Sequence, residues 1–306
     1  MPAHTPSGKA APARASVVGD AFIDIIVPAY GVRGGETCHR KISIKCGGTA
    51  NVAIQASKLG ADVGFLGKVG DDLFGRHFRQ NLAMNGVADL SFTDTYAPTG
   101  ICVSILRSNG ERSMIADRGA NDLLTREEIN VHRERISRSL AYFTGYSLRS
   151  NPTADAVLST MAACSRSGEV WFNPGAPNTI RPFFRDHIRR FVDVLVLNLD
   201  EAAVLSGRRD PRGALEELKK SVRTVAITMG RDGCLVSGEG CECAYIPTKP
   251  LRVSNTTGAG DAFSAGFLVG RLRGMDVVGA AELGNEAAMA FLCNLPARGQ
   301  QVQLAR

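Results

Sequence analysis

Short apolar runs in the second half of the chain set the limits on its fold. Tyr142 to Gly145, Glu169 to Phe172, Val192 to Leu197 and Thr224 to Thr228 are strand-like, and segments of helical character separate them. The run ending at Leu197 is almost continuously apolar, so a strand there must be covered on both faces. Alternating strands and helices of this kind predict a central, mostly parallel sheet between two helical layers. Ligands of such sheets bind beyond the strands' C-terminal ends. Asn173, Asn198 and Thr228 fall at those ends. At 306 residues the chain can bury a large core, as one α/β domain or as a domain with a smaller insertion.

The N-terminal part is organised differently. Residues 15–27 read as one strand broken by Gly19, with Asp24 interrupting its apolar run. A carboxylate there must face water or a hydrogen-bonding partner, such as the hydroxyls of a polyol. Gly47-Gly48 leads into a helix that Gly60 ends at its C′ position. Asp72 predicts an N-cap, and Phe74, Phe78 and Leu82 predict the apolar stripe of a helix ending near Gly86. Asn109-Gly110 between two apolar runs predicts a β-hairpin over 99–117. With a thin strand at 41–45 it makes a small sheet apart from the main core.

The net charge of +6 suits an acidic ligand. No cluster of Lys and Arg is interleaved with aromatics, which argues against nucleic acid. Arg133 to Arg138 reads as a solvated helix face. No apolar run approaches a membrane span. Residues 1–15 lack the apolar core of a signal peptide and read as a disordered tail. The eight cysteines are irregularly spaced, without zinc-like pairs, and read as reduced thiols of a cytoplasmic protein.

Gly258-Ala259-Gly260-Asp261 opens an apolar helix carrying Phe263 and Phe267 one turn apart. Its two glycines permit a tight turn and close approach by a ligand. The turn aims N–H groups and the positive end of a helix at one point, where a phosphate is the usual occupant. Asp261 would repel that phosphate unless it takes a proton from the hydroxyl that attacks it. Taken alone, the pattern is equally compatible with an aspartate that caps a helix. A dinucleotide-binding loop is the weaker rival, because Phe263 stands where the third glycine of its fingerprint belongs, and Gly67-Lys68 is followed by Val69, so no Walker A loop is present.

The segment Asn255-Thr256-Thr257-Gly258-Ala259-Gly260-Asp261 closely resembles the D-T-x-G-A-G-D signature of the ribokinase-like (PfkB) carbohydrate kinases. Gly47, Gly48 and Asn51 resemble the family's N-terminal signature, one residue shorter than its G-G-x-x-x-N. The resemblance implies a three-layer α/β/α sandwich with a small β-sheet lid. It assigns 16–24, 47–97 and 119–306 to the main domain, and 25–46 and 98–118 to the lid. It also implies transfer of the γ-phosphoryl group of ATP to a sugar hydroxyl. Asp261 would be the general base, with Gly258, Ala259 and Gly260 as an anion hole. Asp24, Gly47, Gly48 and Asn51 would bind the substrate. Asn198 and Glu201 match an N-x-x-E motif that positions Mg²⁺ through water, although the residues alone read equally as a helix N-cap. Thr228, Gly230 and Gly233 match a nucleotide-loop motif, and Asn285 falls where an adenine-pocket residue is expected. Asn255 stands where the family carries Asp, which weighs against a potassium site. A nucleoside kinase of adenosine or pseudouridine type is the alternative, disfavoured by an aromatic content of 6%. A non-catalytic sugar-binding protein would carry a damaged base or anion loop, and both are intact. The lid implies a homodimer contact.

Overall fold

The computed structural model describes residues 14–28, 42–106, 112–175, 190–249, 251 and 256–294. Most of the expected tail, the Asn109-Gly110 turn and Asn255 lie outside the described residues. In chain order the strands are β1 (Ala15–Val18), β2 (Ala21–Pro28), β3 (Ser43–Gly48), β4 (Val63–Leu66), β5 (Lys68–Gly70), β6 (Ala88–Asp89), β7 (Phe92–Asp94), β8 (Gly100–Leu106), β9 (Arg112–Asp117), β10 (Leu140–Thr144), β11 (Glu169–Asn173), β12 (Val194–Asn198), β13 (Thr224–Thr228), β14 (Cys234–Gly238) and β15 (Cys241–Ile246). Among the described residues the main sheet runs β15-β14-β13-β12-β11-β10-β1-β4-β6. Neighbours from β13 to β6 are parallel, and β14 and β15 add an antiparallel edge.

Successive residues of these strands bury into opposite layers, as the period of a strand requires. Val17, Tyr142, Trp171, Val196 and Ala226 enter one core with Val52, Phe78, Phe263 and Phe267 of the helices Ala50–Lys58, Leu73–Met84 and Ala259–Leu272. Val18, Phe143, Phe172, Leu197 and Ile227 enter the other, with Ile136, Val157, Met161 and Leu215. Each fully buried side chain of this size stabilises the fold by about 1.5–3 kcal/mol. The helix signals hold. The Asp72 carboxylate accepts from the Gly75 N–H at 2.7 Å, and Gly60 and Gly86 take φ of 88° and 69° past their helices.

A second sheet has the order β3-β2-β8-β9, with β8 and β9 antiparallel as the hairpin predicts. Here one expectation is corrected. Residues 15–27 are not one broken strand: β1 belongs to the main sheet and β2 to the small one. The small sheet therefore begins at Ala21 rather than at 25, and β3 extends it to Gly48. The chain changes sheets at Gly19 and Asp20. A Cβ at Gly19 would lie 2.8 Å from the Thr49 Cβ. Asp20 is buried and held by both terminal nitrogens of Arg118, at 2.8 and 3.0 Å, and by the Ser147 hydroxyl at 3.1 Å. Asn121 completes the junction, accepting from the Ala21 N–H and donating to the Ala21 carbonyl.

Candidate active site

The helix Ala50–Lys58 follows directly on β3, so Gly47 and Asn51 are presented together at the junction of the two sheets. The Asn51 amide donates to the Asp261 carboxylate at 3.1 Å, across 210 residues of chain. Asp24, on β2, flanks Gly47 so closely that a Cβ there would run into its carboxylate. Gly48 takes φ of 71°, with the Asp20 carbonyl in the space a side chain would need. The two glycine signatures thus converge on one carboxyl.

Asp261 lies half-buried in the first turn of the helix Ala259–Leu272. Its pKa is pushed up to about 6, first by burial and then by the like charges of Asp24 and Glu201, while the Asn51 hydrogen bond pulls it down. Such a carboxyl is ionised at neutral pH yet basic enough to accept a proton. Gly258, the N-cap, takes φ of 87°, and no side chain caps the helix. The Ala259 N–H is already bonded to the Thr256 carbonyl at 3.1 Å. Among the described residues, the donors left open at this turn are the N–H groups of Gly258, Gly260 and Asp261. The expected trio is corrected accordingly, because the tight turn itself consumes the middle donor. A Cβ at Gly260 would meet nothing within 4 Å, so this turn opens onto free space. An anion fits that space and those donors.

The remaining expected residues sit at the strand ends. Asn198 caps the helix Leu199–Ser206 and Glu201 completes a capping box, accepting from the Asn198 N–H at 2.9 Å. The helix-cap reading of these two residues is therefore realised. Glu201 is nevertheless buried, with a pKa raised chiefly by that burial, and its charge reaches Asp261. Among the described residues no group of three or more His, Cys, Asp or Glu side chains could hold a metal ion. Thr228 ends β13, with its hydroxyl 3.4 Å from the Leu197 carbonyl. Gly230 and Gly233 both have positive φ, and a Cβ at Gly233 would strike the Ile246 carbonyl. Asn285 donates to the Ile246 carbonyl at 3.2 Å, tying its helix to the end of β15.

Sequence reasoning missed Tyr142. It is fully buried beneath the site, its hydroxyl lies 3.4 Å from that of Ser264, and burial raises its pKa. Its strand pattern alone marks it only as core.

A glycine-framed helix N-terminus beside a carboxyl of raised pKa, on a doubly covered parallel sheet, can hold an anion and accept a proton at one place. The comparisons carry this to a family. The description "pfkB family carbohydrate kinase" matches residues 13–298. Ribokinase of Bacillus subtilis is 30% identical, covering 92% of this chain and 94% of that one. Fructokinase of Klebsiella pneumoniae is 30% identical, covering 83% of each. The structure of adenosine kinase from Sinorhizobium meliloti superposes with a TM-score of 0.82 at 25% identity, covering 93% of this chain and 95% of that one. The chain belongs to the pfkB family of carbohydrate kinases, which are ATP-dependent phosphotransferases.

Proposed function

We propose that this kinase phosphorylates a hydroxyl of a free sugar, with Asp261 as the general base. The observation that carries the reading is the Asn51–Asp261 hydrogen bond, which sets a carboxyl of pKa about 6 between the substrate-side glycines and the open helix N-terminus. Asp24, Gly47, Gly48 and Asn51 orient the sugar. Asp261 takes the proton of the attacking hydroxyl. The N–H groups of Gly258, Gly260 and Asp261 hold the oxygens of the transferring group as their charge shifts. ATP supplies the phosphoryl group, and Mg²⁺, when bound, would offset the charge of its phosphates. Thr228, Gly230, Gly233 and Asn285 flank the nucleotide, and Glu201 orients water around the metal. The Asn at 255 disfavours a potassium requirement.

The small sheet serves as the lid that excludes water from the site. Its far face carries a row of Ile44, Ile25, Val103 and Ile115 across all four strands, with Ile44 55% and Ile115 66% exposed. That row is the surface of a homodimer. No described helix is long and apolar enough to cross a membrane, and the described cysteines are free thiols. A nucleoside acceptor is the second reading, favoured by the likeness to adenosine kinase.

The test is ADP release from Mg-ATP across pentoses, hexoses, sugar phosphates and nucleosides, each with an Asp261→Asn control. Activity on free sugars that falls about 10²–10⁴-fold in the control supports the proposal. Activity confined to nucleosides moves it to the second reading. Near wild-type turnover in the control removes Asp261 from the base role.

A further inference from the structure

A groove on the opposite helical layer is not used by any part of the proposed reaction. It lies between the helix pair Arg126–Val131 and Arg133–Ser137 and the helix Thr153–Cys164, with a volume of about 260 Å³. Arg126, Arg133 and Arg166 line it. Among the described residues none of the three makes an ion pair. The neighbouring acids do not compensate them. Glu127, Glu134 and Asp155 are not among the lining residues, and Glu134 is tied to Arg138 at 2.9 Å. Arg133 is exposed, as a solvated helix face requires, and it also lines the groove.

Three arginines lining one small space match a dianion better than a single carboxylate, since each guanidinium can bind two oxygens of a phosphate. The uncharged lining narrows the choice further. The Ser137 hydroxyl donates to the Glu134 carbonyl at 3.3 Å, and the Ser159 hydroxyl to the Ala156 carbonyl at 2.8 Å. Their protons are spent within the helices, so they offer lone pairs, which accept from the hydroxyls of a polyol. Ile129 and Cys164 supply an apolar floor. The volume lies just under the about 300 Å³ at which ordinary ligand pockets begin, which suits a small metabolite rather than a nucleotide.

We propose that this groove is a second binding site, distinct from the phosphoryl-transfer site, for a small phosphorylated polyol. The phosphate sits among Arg126, Arg133 and Arg166, and the polyol hydroxyls donate to Ser137 and Ser159.

The test is calorimetric titration of the full chain with glycerol 3-phosphate and ribose 5-phosphate, with sodium sulfate and free ribose as controls. The variant is Arg133→Ser with Arg166→Ser. Both side chains are exposed, so the fold is retained, and unchanged kinase turnover without the ester verifies it. The expected result is an ester bound more tightly than sulfate, with affinity reduced at least about tenfold in the double variant. Ester affinity that is equal in the double variant assigns binding to the kinase site and overturns the proposal. So does the absence of ester binding at about millimolar concentration, or sulfate binding as tightly as the esters.

Discussion

Replacing Asn51 by alanine tests the electrostatic design of the site. The Asn51 amide is the group that lowers the Asp261 pKa, against burial and the charges of Asp24 and Glu201. A hydrogen bond to a charged group contributes about 1.5–3 kcal/mol, and one pKa unit corresponds to about 1.4 kcal/mol. Asp261 is only half-buried, so water takes over part of the lost bond, and the expected rise is about one unit. Catalysis needs the ionised carboxylate, so the acid limb of kcat/KM moves from about 6 to about 7. At pH 5.5 the ionised fraction then falls about eightfold, while well above pH 8 it hardly changes. The assay is the pH profile of kcat/KM, with ADP release as the readout. Asp24→Asn supplies the opposite sign, because removing a like charge moves the limb down. An Asn51→Ala limb that stays in place, or that moves with the same sign as Asp24→Asn, refutes the reasoning.

The raised Asp261 pKa also bears on stability. Its folded value, about 6, stands above the reference 3.8, so the folded chain binds the proton more tightly and stability falls as pH rises between those values. Asp261→Asn should therefore be more stable than the parent at pH 8, by about 1 kcal/mol after allowing for exposure, with the difference vanishing near pH 4; equal differences in urea melts at both pH values would contradict this. Gly258→Ala meets both a φ of 87° and the Phe291 ring at 2.8 Å. It should cost about 1–2 kcal/mol and weaken ATP binding, and a variant with parental melting and KM for ATP counts against the open helix N-terminus. Arg118→Leu strands the buried Asp20 and should cost about 3 kcal/mol in chemical denaturation, and a loss below about 1 kcal/mol means the pair does not hold the sheet junction. Ile44→Asp with Ile115→Asp should convert a dimer to a monomer in sedimentation equilibrium, and a parental chain that is itself monomeric removes the lid contact.

The layered fold was legible in the sequence because it rests on local rules. Strands that are apolar on both sides need cover on both faces, wherever they fall in the chain. The runs ending at Leu197 and Thr228 therefore announced a parallel sheet, and Asp72, Gly60 and Gly86 announced helix ends through short-range backbone geometry. The roles expected of Asp261 and Gly258 followed from residue type and from a signature resemblance.

Tertiary structure decided whatever depends on partners distant in the chain. No local pattern could say that Gly19 parts two sheets, because the cause is Thr49 beside it and the Asp20–Arg118 pair at the crossing. Nor could the sequence show that the Ala259 N–H is consumed by its own turn. That the Asn51 amide donates to Asp261 is likewise a contact between residues far apart in the chain. The acidity of Asp261 is fixed by burial and by Asn51, Asp24 and Glu201, which only folding brings within range of its field. A sequence lists charges and donors along a line, and their energies depend on distances and dielectric that exist only once the chain has closed on itself.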